Sequence, residues 1–163
     1  MSHTRRVLLL SAAVVSAWTL IACATPPAPA TIADTALRTS HLSTFGKLIQ
    51  DAGLVETLRG TGPYTVFAPS DEAFKAVPAQ TMAEWAANME LLKAVLSYHL
   101  LPGKLSAAEV KNVNVKTVQG ANLATARAGT FVTVEDALVT QADIAATNGV
   151  VHVIDKVLMP PRR

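Results

Sequence analysis

Thr65-Val-Phe-Ala-Pro-Ser-Asp-Glu-Ala-Phe74 and Asn148-Gly-Val-Val-His-Val-Ile-Asp-Lys-Val-Leu-Met-Pro-Pro161 are the two stretches from which the fold is read. In the first, the run from Thr65 to Phe67 predicts a strand stopped by Pro69, with a helix starting directly behind it. Ser70 is placed to cap that helix, because its hydroxyl can accept from a backbone N–H that the first turn leaves free. Asp71 and Glu72 then set negative charge at the positive end of the helix dipole. In the second stretch, Asn148-Gly149 predicts a turn into a β-branched run from Val150 to Ile154. That run is apolar on both faces and so reads as an interior strand, stopped by the prolines.

Outward from these anchors the chain alternates in character. Leu42, Phe45, Leu48 and Ile49 recur at helical spacing, with Gly53 at the expected end. Leu54, Val55 and Leu58 predict a second short helix closed by Gly60, and Gly62-Pro63 turns the chain into the first strand. A third helix carries the stripe Met89, Leu92 and Leu96, with Leu91 and Val95 beside it, and ends before Pro102-Gly103. Beyond that the period changes to two. Val113, Val115 and Thr117 alternate with Asn114 and Lys116, and short strands follow at 123–128 and 130–134. No internal repeat is present, so the chain carries one copy of its folding unit.

The two anchors, with Ser97-Tyr-His-Leu-Leu-Pro-Gly103 between them, resemble the homology boxes and the Tyr-His segment of the fasciclin (FAS1) domain family, over about 42–161. The resemblance implies an α+β fold, a wedge-shaped β-sandwich with several short helices packed along one side, spanning 34–163. It implies a secreted or membrane-tethered module for adhesion or matrix interaction, without enzymatic activity. In animal members an Asp-Ile dipeptide just before the second box has been proposed as an integrin contact. Asp143-Ile144 falls at that place and is the candidate adhesion contact, within an exposed segment 141–146. Ser70, Asp71, Tyr98, His99 and His152 match family positions with structural roles.

The start of the chain reads as an address. Arg5 and Arg6 precede an apolar run of 15 residues from Val7 to Ile21. That run is shorter than the ~20 residues of a spanning helix, so 1–22 is expected to be a secretory leader. Leu20-Ile-Ala-Cys23 resembles the lipobox of bacterial lipoproteins, which makes Cys23 the lipidation site and the membrane a partner through that anchor. Cys23 is the only cysteine, so no internal disulfide can form. Thr4-Arg5-Arg6 also resembles a twin-arginine export signal. Ala24-Thr-Pro-Pro-Ala-Pro-Ala-Thr31 reads as an extended tether, giving 23–33 as lipidated cysteine plus spacer. Ala24 and Thr25 lack the aspartate of inner-membrane retention, which points to the outer membrane or periplasm. Without the leader the 14 basic residues fall to 12 and equal the 12 acids, so the charge carries no nucleic-acid signature.

The chain has no nucleophile elbow, phosphate-cradling glycine loop, zinc-binding His-Glu-x-x-His pair or Cys-x-x-Cys. No cofactor, metal or catalytic residue is expected. His99 lies on the apolar stripe of its helix and His152 shares a strand face with Val150 and Ile154, so both read as core histidines. A metal site would need them to converge with a carboxylate, with Asp71 and Asp155 as candidates. Glu135-Asp136 reads as a turn and Trp85 as core or rim. The expected function is a tethered interaction module for a surface polymer, matrix component or envelope protein. The alternative is a periplasmic carrier or sensor of a small ligand, using an apolar cleft between helices and sandwich. An envelope hydrolase ranks third and would require His99 or His152 beside a carboxylate.

Overall fold

The structure, a computed structural model, describes residues 30–161. The leader, Cys23 and the spacer up to residue 29 lie outside them. Helices come first: α1 (Ile32–Arg38), a single 3-10 turn (Ser40–Leu42), α2 (Ser43–Asp51) and α3 (Val55–Arg59) precede β1 (Tyr64–Pro69). Then come α4 (Asp71–Lys75), α5 (Ala79–Ala87), α6 (Met89–Tyr98) and β2 (Leu100–Pro102). The rest is strand: β3 (Val113–Lys116), β4 (Asn122–Ala128), β5 (Phe131–Val134), β6 (Ala137–Ala146) and β7 (Gly149–Ile154).

The folded unit starts earlier than the spacer composition suggests. Thr31 caps α1 by accepting from the Asp34 N–H, and Ile32 and Ala33 are buried. Hydrophobic contact at Ile32 therefore overrides the local Pro/Ala character, and the helix begins two residues before Asp34. Ser70 caps α4 as expected, accepting from the Ala73 N–H at 3.2 Å.

The strands form one sheet in the order β2-β1-β7-β6-β5-β4-β3. β1 and β7, one from each anchor stretch, run parallel at its centre, with Val66 opposite Val151 and Phe67 opposite His152. All other pairings are antiparallel. β6 is ten residues long and bulged twice against β7, which bends the sheet so that its two halves face each other.

Alternation along β1 and β7 separates two cores. Val66, Ala68, Val151 and Val153 face the helices, where they pack with Ile32, Phe45, Ile49, Trp85, Leu92 and Leu96. Phe67 and Ile154 face the other way, joining Tyr98, Leu101, Leu123, Val134 and Leu158 between the halves of the sheet. Each fully buried aliphatic or aromatic side chain contributes about 1.5–3 kcal/mol. The interface between helices and sheet, where a ligand cleft was one expectation, is filled by the first of these cores. On α6 the buried stripe is Leu92, Val95 and Leu96, while Met89 and Leu91 face solvent. Periodicity over-assigned these two to the buried face.

Candidate functional site

The side chains singled out in the sequence fall into two buried networks and one capping pair. The first network is a relay across the sheet. Asp143 sits in the β6 bulge at φ 57, a left-handed conformation that turns its backbone N–H toward His152. That N–H donates to His152 Nδ1 at 3.2 Å. His152 Nε2 pairs with the Leu105 carbonyl at 2.8 Å. The Leu105 N–H donates to Thr65 Oγ1, and the Thr65 hydroxyl donates to the Gly103 carbonyl, both at 2.8 Å. The Asp143 carboxylate closes the far side by accepting from the Ala107 N–H at 2.9 Å.

These partners dictate the chemistry of the imidazole. Nδ1 must accept and Nε2 must donate, so His152 is the neutral Nε2–H tautomer. Its ring stacks on Phe67 at 5.5 Å between centroids. Burial holds its pKa below the usual histidine value, against the opposing pull of the Leu105 carbonyl and the Asp143 charge.

His99 anchors the second network. The ring Nδ1 pairs with the Val95 carbonyl at 2.8 Å, satisfying one of the orphan acceptors at the end of α6. Nε2 accepts from the Leu158 N–H at 3.0 Å, which ties down the segment after β7. His99 is therefore the neutral Nδ1–H tautomer, the opposite of His152. Complete burial pushes its pKa down to about 4. Beside it, the Tyr98 hydroxyl lies 3.0 Å from the Asn122 carbonyl and 3.2 Å from Glu135 Oε1. Burial first, and then the Glu135 charge, push that hydroxyl up to about 12. Neither group exchanges protons near neutral pH.

Asp71 does more than bias the dipole of its own helix. Its carboxylate accepts from Ser43 Oγ and from the Thr44 N–H, both at 2.8 Å, and so caps α2 from outside. These bonds outweigh the opposing effect of burial and leave its pKa below the ordinary carboxylate value. Asp155 is occupied elsewhere, accepting from the Leu138 N–H at 2.7 Å. The two histidines thus meet different partners and no carboxylate joins them. Among the described residues no group of three or more His, Cys, Asp or Glu side chains is placed to hold a metal ion.

The segment 141–146 is largely exposed, as expected, and forms the bulged C-terminal half of β6. Ile144 is opposite Val151 and packs against the helix-side core, while Asp143 is exposed with its N–H and one carboxylate oxygen engaged. Its strand character is not legible in the sequence because the bulge removes the period of two on which a strand is recognised.

Asn148 is the residue whose role the sequence did not disclose beyond its turn. Its Oδ1 accepts from the Ile32 N–H at 3.0 Å, and Nδ2 donates to the Leu58 and Gly60 carbonyls at 2.7 and 2.9 Å. One amide therefore joins the start of α1 to the end of α3. An Asn-Gly pair signals a turn, but nothing local announces contacts at 88 to 116 residues' separation.

Two surface clefts lie at the end of the sheet where β1 and β7 finish. One, of about 580 Å³, runs between His41, Thr44, Ser70 and Lys75. Another, of about 510 Å³, lies between Tyr98, Glu135, Asp136 and Met159. The described chain begins at the opposite end, where the Ala30 carbonyl accepts from the Thr147 N–H.

Comparison with known proteins matches the fasciclin domain to residues 40–160. Protein sll1483 of Synechocystis sp. is 41% identical over 133 residues, covering 80% of this chain and 74% of that protein. Transforming growth factor-beta-induced protein ig-h3 of Sus scrofa is 41% identical over 142 residues, 84% of this chain and 20% of that protein. Cell surface glycolipoprotein MPB83 of Mycobacterium bovis is 40% identical over 123 residues, 76% of this chain and 54% of its own length. The FAS1 domain pair of the insect cell adhesion molecule Fasciclin I superposes with a TM-score of 0.64 at 17% identity. It covers 80% of this chain and 51% of that one, a likeness of fold.

Proposed function

The chain belongs to the fasciclin family, and on that premise we propose that it is a membrane-tethered extracytoplasmic module that binds a surface polymer, matrix component or envelope protein. The family is one of adhesion and extracellular interaction domains rather than enzymes. The observation that carries the tethered reading is the polarity of the fold. Its described chain starts beside Thr147, at the end where β1 and β7 begin, and the two larger clefts open at the other end. A lipid on Cys23 and an extended spacer would attach the first end to the bilayer and present the second to the medium. A relative named as a cell surface glycolipoprotein supports the same arrangement. Among the described residues no helix is long and apolar enough to cross a membrane.

Ser70, Asp71, Tyr98, His99 and His152 all serve the scaffold in this reading. Ile144 is a core contact, and Asp143 is the member of the dipeptide that reaches solvent. The test uses cells displaying the full chain on a surface coated with envelope or matrix material. Cys23→Ser is expected to end acyl labelling, release the protein from the membrane and abolish adhesion. Adhesion that survives with Cys23 unmodified in membrane-bound protein would overturn the tethered reading. Asp143→Ala should weaken adhesion without lowering the melting temperature by more than a few degrees if the acid is the contact.

A further inference from the structure

The sheet does not close into a barrel. β2 and β3 are its outermost strands, and the turn after β3 reaches across to β2, where the Val118 N–H donates to the Leu100 carbonyl at 2.8 Å. Farther along, a cleft of about 350 Å³ separates the two edges. Leu101, Leu105 and Val115 line it with apolar surface, and the exposed lysines Lys104 and Lys116 stand on its two sides. The volume is within the range of about 300–1,000 Å³ usual for small-molecule sites.

One lip is held with unusual firmness for a surface segment. The Gly103 N–H donates to the Pro63 carbonyl at 2.9 Å, and the Gly103 carbonyl accepts from Thr65. Leu105 is fixed at its N–H by Thr65 and at its carbonyl by His152. Two fully buried polar side chains, Thr65 and His152, are therefore devoted to the backbone of 103–105. The other lip is β3, paired along its length with β4. A ligand would meet a site whose walls are already ordered, which removes one cost of binding.

Charge selects the kind of ligand. Among the described residues neither Lys104 nor Lys116 forms an ion pair with a carboxylate. Glu109 feels the charge of Lys104, but its carboxylate is engaged by the Ser106 hydroxyl and N–H at 2.7 and 3.0 Å. An apolar floor flanked by two free ammonium groups fits a molecule with an alkyl chain and a single anionic head.

We propose that the cleft between β2 and β3 binds a long-chain carboxylate, its head between Lys104 and Lys116 and its chain over Leu101, Leu105 and Val115. This goes beyond the adhesive reading and does not depend on it. The test is an amide NMR titration of the full chain carrying Cys23→Ser, so that no attached acyl group competes. The probes are decanoate, decanol and acetate, with phosphatidylglycerol vesicles as a separate arm. Decanoate is expected to give saturable shifts at 101–105 and 115–116. Decanol should bind the same amides at least fivefold more weakly, and acetate should leave them unmoved. Lys104→Ala with Lys116→Ala should weaken decanoate about tenfold and leave decanol unchanged, and Val115→Trp should block both. Equal affinity for decanol and decanoate, or shifts centred elsewhere, would overturn the proposal. So would vesicle binding that needs the lysines while free decanoate leaves the cleft unperturbed, because the lysines would then be a membrane-surface patch.

Discussion

All six residues of β7 are buried, whereas β4 keeps Leu123 and Thr125 inside and shows Asn122, Ala124 and Ala126 to water. The difference follows from what covers each strand. β7 lies between the helix layer and the facing half of the sheet, and β4 has no layer on its outer side. A polar side chain in β7 is tolerated only with every ring nitrogen matched, as in His152. On the outer face of β4 the solvent supplies whatever a side chain lacks. Scaffold and candidate contact surface are therefore separated by burial rather than by position along the chain.

The largest expected effect is at the start of β7. A Cβ added at Gly149 would overlap the Tyr64 carbonyl oxygen and stand 2.7 Å from Ile32 Cδ1, in contact with both the central strand and α1. Gly149→Ala should cost more than about 4 kcal/mol, since the Tyr64 carbonyl belongs to the paired backbone of β1 and cannot move away, and urea unfolding would measure it. A near-native midpoint would mean that the centre of the sheet is looser than described.

Acid should come next. His99 is neutral in the fold with a pKa of about 4, against 6.5 in the unfolded chain. Between those values the unfolded chain takes up a proton that the folded protein refuses. Stability is therefore complete above pH 6.5 and falls as the pH drops towards 4, by roughly 3 kcal/mol in all. His152 is shifted in the same direction and adds to the loss. Asp34, Asp71 and Glu109, held below the ordinary carboxylate range, extend it at lower pH. Chemical denaturation at a series of pH values checks the slope, and a flat profile between 6.5 and 4.5 would contradict neutral burial.

Asn148→Ala removes three side-chain hydrogen bonds between the turn, α1 and α3, and should cost about 2 kcal/mol. Loosened amide exchange at the start of α1 is its expected signature. The outer surface supplies the smallest effect. Phe131 is 63% exposed at the β4–β5 hairpin, and Phe131→Ser should change stability by less than about 0.5 kcal/mol. A larger loss would show that this half of the sheet is covered in solution.

Much of this division is legible in the residues. The two-faced apolar run of β7 announced an interior strand, and the cap at Ser70 and the turn at Glu135 follow from local chemistry. What stayed hidden is non-local. Asp71 reaches back to Ser43, Asn148 reaches Ile32 and Leu58, and the cleft beside Lys104 exists only because strands at opposite ends of the sheet order approach. The bulge at Asp143 hid β6 by breaking its period, and the burial of Ile32 placed the start of the domain inside what composition marked as spacer.

The two histidines put the scaffold assignment to its most direct test, because their partners require opposite tautomers. Long-range nitrogen–proton correlation NMR at pH 7 should show neutral rings, with the proton on Nδ1 in His99 and on Nε2 in His152. A charged ring, or the same tautomer in both, would contradict the account, and would return one of them to the list of candidate functional residues.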